Sequence, residues 1–296
     1  DSALIINIDG KKIINLNDCP FENDKQLIDF AKLYGTADIL LSQFSYAAWK
    51  GGVKNLRWRQ VAAKEKLLSL ENQAKALNCN TIIPFASFIY FSNIENSYLN
   101  DSINTPNIVQ KKFNTKKIST VFFQPLENQN IEGIKQNDDS IKYWNQRFEN
   151  ISGLEFHQYS KTYSIDELKN AHVDYTKKIF KKNSKLIIII LSKLRFLEIF
   201  SDIDVYLIDL DHVVRISVLK GIKLVSKKSY NIKMHSDSLM FIFKNEFGFD
   251  TLTVNGNFEV YNNSFSKITK HFAIGSLNAM GFSLKYSILF NLKLYS

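Results

Sequence analysis

The sequence predicts an α/β fold in two regions, and three observations predict it. Asp9-Gly10 sits between two short apolar runs; apolar runs and helical stripes then alternate from residue 13 to residue 91; residues 161–296 add a capped helix, several β-branched runs and another helix. Asp-Gly between apolar runs is the strongest short-range hairpin signal, because Gly tolerates the positive φ of a two-residue primed turn. Strand, helix, strand, helix, strand in that order signals a layered α/β domain.

Each element has its own justification. The second hairpin strand, Ile13 to Leu16, runs into Asn17-Asp18-Cys19-Pro20, where Pro20 forbids further ladder pairing and a carboxylate reaches the rim of the sheet. A helix follows near Asn23 to Leu33, with Asn23 or Asp24 as its cap, Leu27, Phe30 or Ala31 and Tyr34 at helical spacing, and Gly35 as its stop. Asp38 to Leu41 is a short buried strand, and Ser42 to Gly52 is irregular and rich in residues that can line a pocket. Arg57 to Leu77 reads as a longer helix with Leu67, Leu70, Ala74 and Leu77 on one face. Strands are expected at Thr81 to Phe91 and Ile118 to Phe123, with a polar loop over Asn93 to Pro106 between them.

Residues 1–125 are therefore expected to form one domain, 126–160 a linker or excursion, and 161–296 a second, α+β domain. Tyr143 to Phe148 is assigned to the start of the second region. There Ser164 and Glu167 have capping-box spacing, and Leu168, Ala171, Tyr175 and Ile179 form a helical stripe. Strands are expected at 205–210, 213–219, 222–225 and 230–234, a helix at Asp237 to Phe247, and a strand over Gly248 to Phe258 turning at Asn255-Gly256.

Composition bounds the function. The 296 residues carry 38 Lys and Arg against 29 Asp and Glu, a formal charge of +9, which suits an anionic substrate, nucleic acid or a membrane surface, or else a Lys-rich bias spread over solvated faces. The last is the preferred reading. It extends to the cluster Lys177, Lys178, Lys181, Lys182, Lys185, Lys193 and Arg195, where only Phe180 and Phe196 interleave, too few rings for base stacking, so no nucleic-acid partner is expected. The most apolar run, Leu186 to Leu191, is far shorter than the roughly 20 residues a membrane helix needs. No secretory leader is visible and two cysteines, Cys19 and Cys79, make no disulfide framework, so a cytoplasmic location is expected. Walker, dinucleotide-glycine and Gly-x-Ser-x-Gly patterns do not occur.

DSALIINIDGKKIINLNDC followed by ADILLSQFSYAAWKGG resembles the second half of a metallo-β-lactamase-fold domain, in the branch of the CMP-N-acetylneuraminate (sialic acid) hydroxylases. The resemblance covers roughly the first 125 residues. It implies the distal half of an αββα sandwich, in which the acid closing the hairpin, here Asp18, bridges two metal ions. TIIPFASFIYF resembles the strand that carries the last metal-binding His as Pro-x-His, but here the position is Ala86. The upstream His-x-His-x-Asp-His motif and the Cys-x-His pairs of a Rieske centre are absent. Since the chain opens at Asp1 inside a strand, it reads as the distal part of a larger protein.

What the resemblance implies is a metal-dependent hydrolase or hydroxylase-like protein acting on a small anionic substrate, sugar nucleotides included. A divalent metal, zinc, iron or manganese, is expected only if an upstream half or partner chain supplies the histidine motif. Gln43, Ser45, Tyr46 and Ser87 are the expected substrate-lining residues, and Asp18 the expected metal ligand. Without the resemblance Asp18 is a turn or capping residue. The alternative is a non-catalytic binding or assembly protein that kept the fold and lost the metal site. Residues 234–258 also loosely resemble sterol-carrier-protein-like domains, which would imply an apolar-ligand pocket or a dimerisation module. The five histidines, His157, His172, His212, His235 and His271, show no two-apart or four-apart spacing; His212 and His235 have acids nearby and could transfer protons, or be turn and surface residues.

Overall fold

The computed structural model describes residues 2–285 except 18, 20, 22, 160, 227 and 228. They form a mixed α/β protein of two compact units: residues 1–50, 54–91 and 99–155 make the first, and 51–53, 92–98 and the residues from 156 onward make the second.

The first unit is built on one five-stranded sheet. Strands β1 (Leu4–Ile8) and β2 (Lys11–Asn15) form the expected hairpin, with Asp9 at φ 48° and Gly10 at φ 73°, the left-handed pair that a type I′ turn requires. Then come α1 (Asp24–Tyr34), β3 (Ile39–Ser42), α2 (Leu56–Ala76), β4 (Thr81–Pro84), α3 (Pro106–Asn114) and β5 (Ser119–Thr120). Asn23 caps α1 by accepting the Gln26 amide, and Thr105 caps α3, with Pro106 in its first turn. The sheet order is β1-β2-β3-β4-β5, parallel from β2 onward.

Because every crossover steps in the same direction and such crossovers are right-handed, α1, α2 and α3 share one face of the sheet. The packing agrees. Ile14, Leu40 and Ile82 stand in register on that face, fully buried against Leu67, Leu70, Ala74 and Leu77 of α2 and Val109 and Phe113 of α3, with Phe30 and Ala31 of α1 alongside. The opposite face is also apolar. Leu4, Ile6 and Ile8 of β1 point there and remain 55%, 40% and 47% exposed, beside half-buried Ile13, Leu41 and Ile83. Ile39 on this face is buried, in a cavity wall that Ile131 and Ile134 complete.

Three expectations are corrected in this unit. The strand over Thr81 to Phe91 ends at Pro84, because Ala86 turns left-handed at φ 56°, and that over Ile118 to Phe123 pairs only at 119–120. Residues 126–160, expected as a linker or excursion, belong to this unit as far as Glu155 and contribute α4 (Asp138–Glu149), which contains Tyr143 to Phe148 and so places that segment in the first unit rather than the second. Their polar side chains are used internally. Gln136 Oε1 accepts the Phe122 amide at 2.7 Å, and Glu127 accepts from Ser140 Oγ and the Gln124 amide.

In the second unit α5 (Ile165–Lys182) starts at the expected capping box, with both reciprocal bonds between Ser164 and Glu167 formed. It is followed by α6 (Lys185–Lys193), which holds the apolar run, and by β6 (Ile203–Leu207), β7 (His212–Ser217), β8 (Gly221–Val225), β9 (Ile232–Met234), α7 (Ser236–Lys244), α8 (Gly248–Asn255), β10 (Glu259–Val260) and α9 (Phe265–Ala279). Its sheet runs β10-β9-β6-β7-β8, antiparallel except for β6 beside β9. The strand expected over Gly248 to Phe258 is instead the helix α8. Asn255-Gly256 is its stop rather than a hairpin turn, with Gly256 left-handed at φ 74° and its amide donating to Leu252 O.

Candidate functional site

Three parallel strands of the first unit end at one edge of its sheet, where ligands of open α/β sheets bind. Asn15 is level with Leu41 and Ser42 with Pro84, and the pairing continues past the strand ends through Leu16 N–H to Leu41 O at 2.9 Å and Phe85 N–H to Ser42 O at 3.0 Å. Asp18 itself lies outside the described residues. Its described neighbours are Asn17, whose amide donates to Asn15 Oδ1, and Cys19, whose amide donates to Leu16 O. Asn17 Oδ1 is a buried acceptor with no hydrogen-bond partner among the described residues.

The other expected residues leave the ends of β3 and β4. Gln43 Oε1 accepts from Lys66 Nζ at 2.8 Å. Ser45 and Ser87 are brought together: the Ser87 hydroxyl donates to Ser45 O at 3.2 Å and accepts the Phe44 amide at 3.1 Å. Ser45 Oγ accepts the Asn104 amide at 2.9 Å, and Asn104 Nδ2 donates to Phe44 O and Ala63 O. Tyr46 donates its hydroxyl to Leu99 O and lays its ring beside Phe91. Ser45, Tyr46 and Ser87 are buried, so they brace the chain as it leaves the rim. Asn104, which holds three of these bonds, carried no sequence signal beyond its place in a polar loop.

Beside this rim the chain leaving β4 and the helix α4 enclose a cleft of about 350 Å3, lined by Phe88, Tyr90, Trp144, Arg147, Ile151 and Leu154 among others. Phe88 and Trp144 stack with centroids 3.8 Å apart, Phe88 meets Phe44 and Phe122 edge-on, and the Trp144 indole N–H is fixed on Phe123 O at 2.8 Å. Among the described residues Arg147 is the one charged group in the wall, its guanidinium 4.3 Å from the centre of the Tyr143 ring. An apolar wall with one cation suits a small molecule with a flat apolar part and an anionic group. The signal for this site was present in the sequence: Ile141, Trp144 and Phe148 have helical spacing behind an Asn137 cap.

The histidines lie elsewhere, in the second unit. His235 caps α7, its Nδ1 accepting the Asp237 amide at 3.1 Å and its Nε2 lying 3.5 Å from Asp209 Oδ2, with Tyr159 stacked on the ring. Asp209 also accepts from the Ser236 amide and hydroxyl, so the group locks the end of β6 to the start of α7. His212 Nδ1 lies on Leu210 O at the surface. His172 and His271 are buried, and burial pushes both imidazoles down to about 4. Among the described residues no group of three or more His, Cys, Asp or Glu is placed to hold a metal ion. The described residues therefore do not fit the expected metal by themselves. No helix among them is long and apolar enough to cross a membrane. No family model matches the chain, and no curated protein matches it.

Proposed function

We propose that the first unit is the distal half of a metallo-β-lactamase-like sandwich, binding a small anionic substrate at its rim and turning it over only with a second half that brings the metal-binding histidines. The observation that carries this reading is the open sheet face. With three helices on one side and Leu4, Ile6, Ile8, Ile13, Leu41 and Ile83 on the other, the sheet has the apolar surface that a second sheet covers in a sandwich. The unpartnered Asn17 Oδ1 next to Asp18, and Arg147 in the adjoining cleft, are in keeping with a cation site and an anionic substrate.

The second reading is a non-catalytic binding or assembly protein on the same scaffold. It is favoured by Ala86 at the histidine position and by Ser45 and Ser87 being spent on internal bonds. Metal content separates the two. Wild type and Asp18→Ala are purified without chelator, expressed with any coding sequence that adjoins the chain, and weighed for metal by mass spectrometry. Near-stoichiometric zinc, iron or manganese that disappears in the variant supports the metal-dependent reading. No metal in either protein overturns it and leaves the binding protein.

A further inference from the structure

The second unit divides its lysines into two populations. In and just before α5, Lys161, Lys169 and Lys177 each hold a carboxylate, Glu167, Asp166 and Asp174, at 2.9 to 3.0 Å. Lys178, Lys181 and Lys182, at the end of the same helix, instead line a cleft of about 290 Å3, and Lys244 at the end of α7 joins them, 62 positions after Lys182 in the chain. Among the described residues no carboxylate lies within ion-pair distance of these four, and Glu246 is the single acid in the wall. The floor is Tyr175, Ile179 and Phe243, all buried. Gly275 of α9 keeps the wall low, since a Cβ there would sit 3.4 Å from Tyr175 Oη and from Glu246 O. Lys182 Nζ is anchored at the edge by Asn278 O at 3.0 Å.

Lysines in the last turn of a helix also suit its dipole. That accounts for a cation on α5 and another on α7, but not for four around one cavity while their neighbours are ion-paired. We infer that this cleft binds a multiply charged oxyanion of the phosphate class, carried by a small soluble molecule. Lysine ammonium groups serve phosphate as mobile point charges, and an anion bound among them offsets their mutual repulsion. The cleft is closed on a buried floor rather than extended as a track, and Tyr175 and Phe243 offer no open ring face on which a base could stack, which disfavours a nucleic acid strand.

The test is calorimetric titration with inorganic pyrophosphate at low ionic strength. Wild type is compared with Lys181→Gln/Lys244→Gln and with Lys169→Gln/Lys177→Gln, which removes the same charge from the ion-paired face. The expected result is one site in wild type, weakened about tenfold in the cleft variant and by less than about twofold in the other. Lys178→Gln, an exposed position, replaces the cleft variant if that one does not fold. Absence of pyrophosphate binding to wild type, or equal weakening in both double variants, overturns the inference. Vesicles bearing phosphatidic acid form the second arm. Cosedimentation with them, in the absence of pyrophosphate binding, overturns the assignment to a soluble ligand.

Discussion

Arg59 and Asp101 meet in a fork, Nε 2.9 Å from Oδ1 and Nη2 2.6 Å from Oδ2, with the arginine side chain only 1% exposed. The pair ties α2 to the turn after residue 97, and breaking it from one side leaves a buried guanidinium without its carboxylate. Asp101→Ala is expected to lower the stability of the first unit by about 3 kcal/mol, and Arg59→Met, which removes the buried charge as well, by less. All three tryptophans, Trp49, Trp58 and Trp144, lie in the first unit, so urea unfolding followed by tryptophan fluorescence reads that unit alone. Equal costs for the two variants would argue against the mechanism.

Glu71 gives the first unit an acid limb. Its carboxylate is buried among Lys75 at 2.6 Å, Lys112 at 3.2 Å and Lys116 at 3.5 Å, and the hydrogen bond from Lys75 leads in holding it down to about 2. The unfolded chain takes up this proton near pH 4.5 and the folded chain only near 2. The contribution is therefore complete above pH 4.5 and is lost as pH falls towards 2. Glu71→Gln should flatten this limb of the fluorescence-detected stability profile.

In the second unit the acid limb begins earlier. His172 and His271 stay neutral to about pH 4 because of burial, whereas unfolded imidazoles protonate near 6.5. Stability should thus fall as pH drops from 6.5 to 4, by up to about 1.4 kcal/mol per pH unit for each histidine. The His172 Nε2 has no hydrogen-bond partner among the described residues, so His172→Leu should spare stability at pH 7 while removing its share of the acid loss. Imidazole C–H shifts in an NMR titration check this directly: a midpoint near 6.5 for both would refute it.

Gly248 is required by proximity rather than by its dihedral angles. A Cβ there would lie 2.6 Å from Ile242 Cα and 2.7 Å from Ile242 O, both backbone atoms that cannot swing aside. Gly248→Ala should cost the second unit about 2 kcal/mol, seen in circular dichroism melts with tryptophan fluorescence of the first unit unchanged. A melt matching wild type would show that α7 and α8 separate easily.

Local chemistry was readable from the sequence where one residue type has one use. Asp9-Gly10 and the Ser164 and Glu167 capping box came out as expected, and the four strands expected between 205 and 234 did so in number and order, with the first at 203–207 rather than 205–210. Ambiguity entered where one residue serves two structures. Asn255-Gly256 can close a hairpin or stop a helix, and here Gly256 stops α8 with its amide on Leu252 O. Polarity in residues 126–140 suggested a linker or an exposed excursion, yet Glu127, Gln136 and Asn137 use it to bond neighbouring backbone and side chains. The bonds of Ser87 with Phe44 and of Ser45 with Asn104 join positions 43 and 59 residues apart in the chain, which no local pattern encodes.

The first sheet has a property that concerns how the molecule is made. Its spatial order is its chain order, β2 docking beside β1 through a tight turn and each later strand beside the one before it after a helical excursion. Such a sheet can grow in step with synthesis, since no strand waits for a later one to be inserted between its neighbours. The second sheet differs, because β9 arrives beside β6 only after β7 and β8 have formed the other side. Ribosome-stalled chains that have released β4 are expected to protect their first strands from protease, whereas those stalled at β8 should still leave β6 open on one edge.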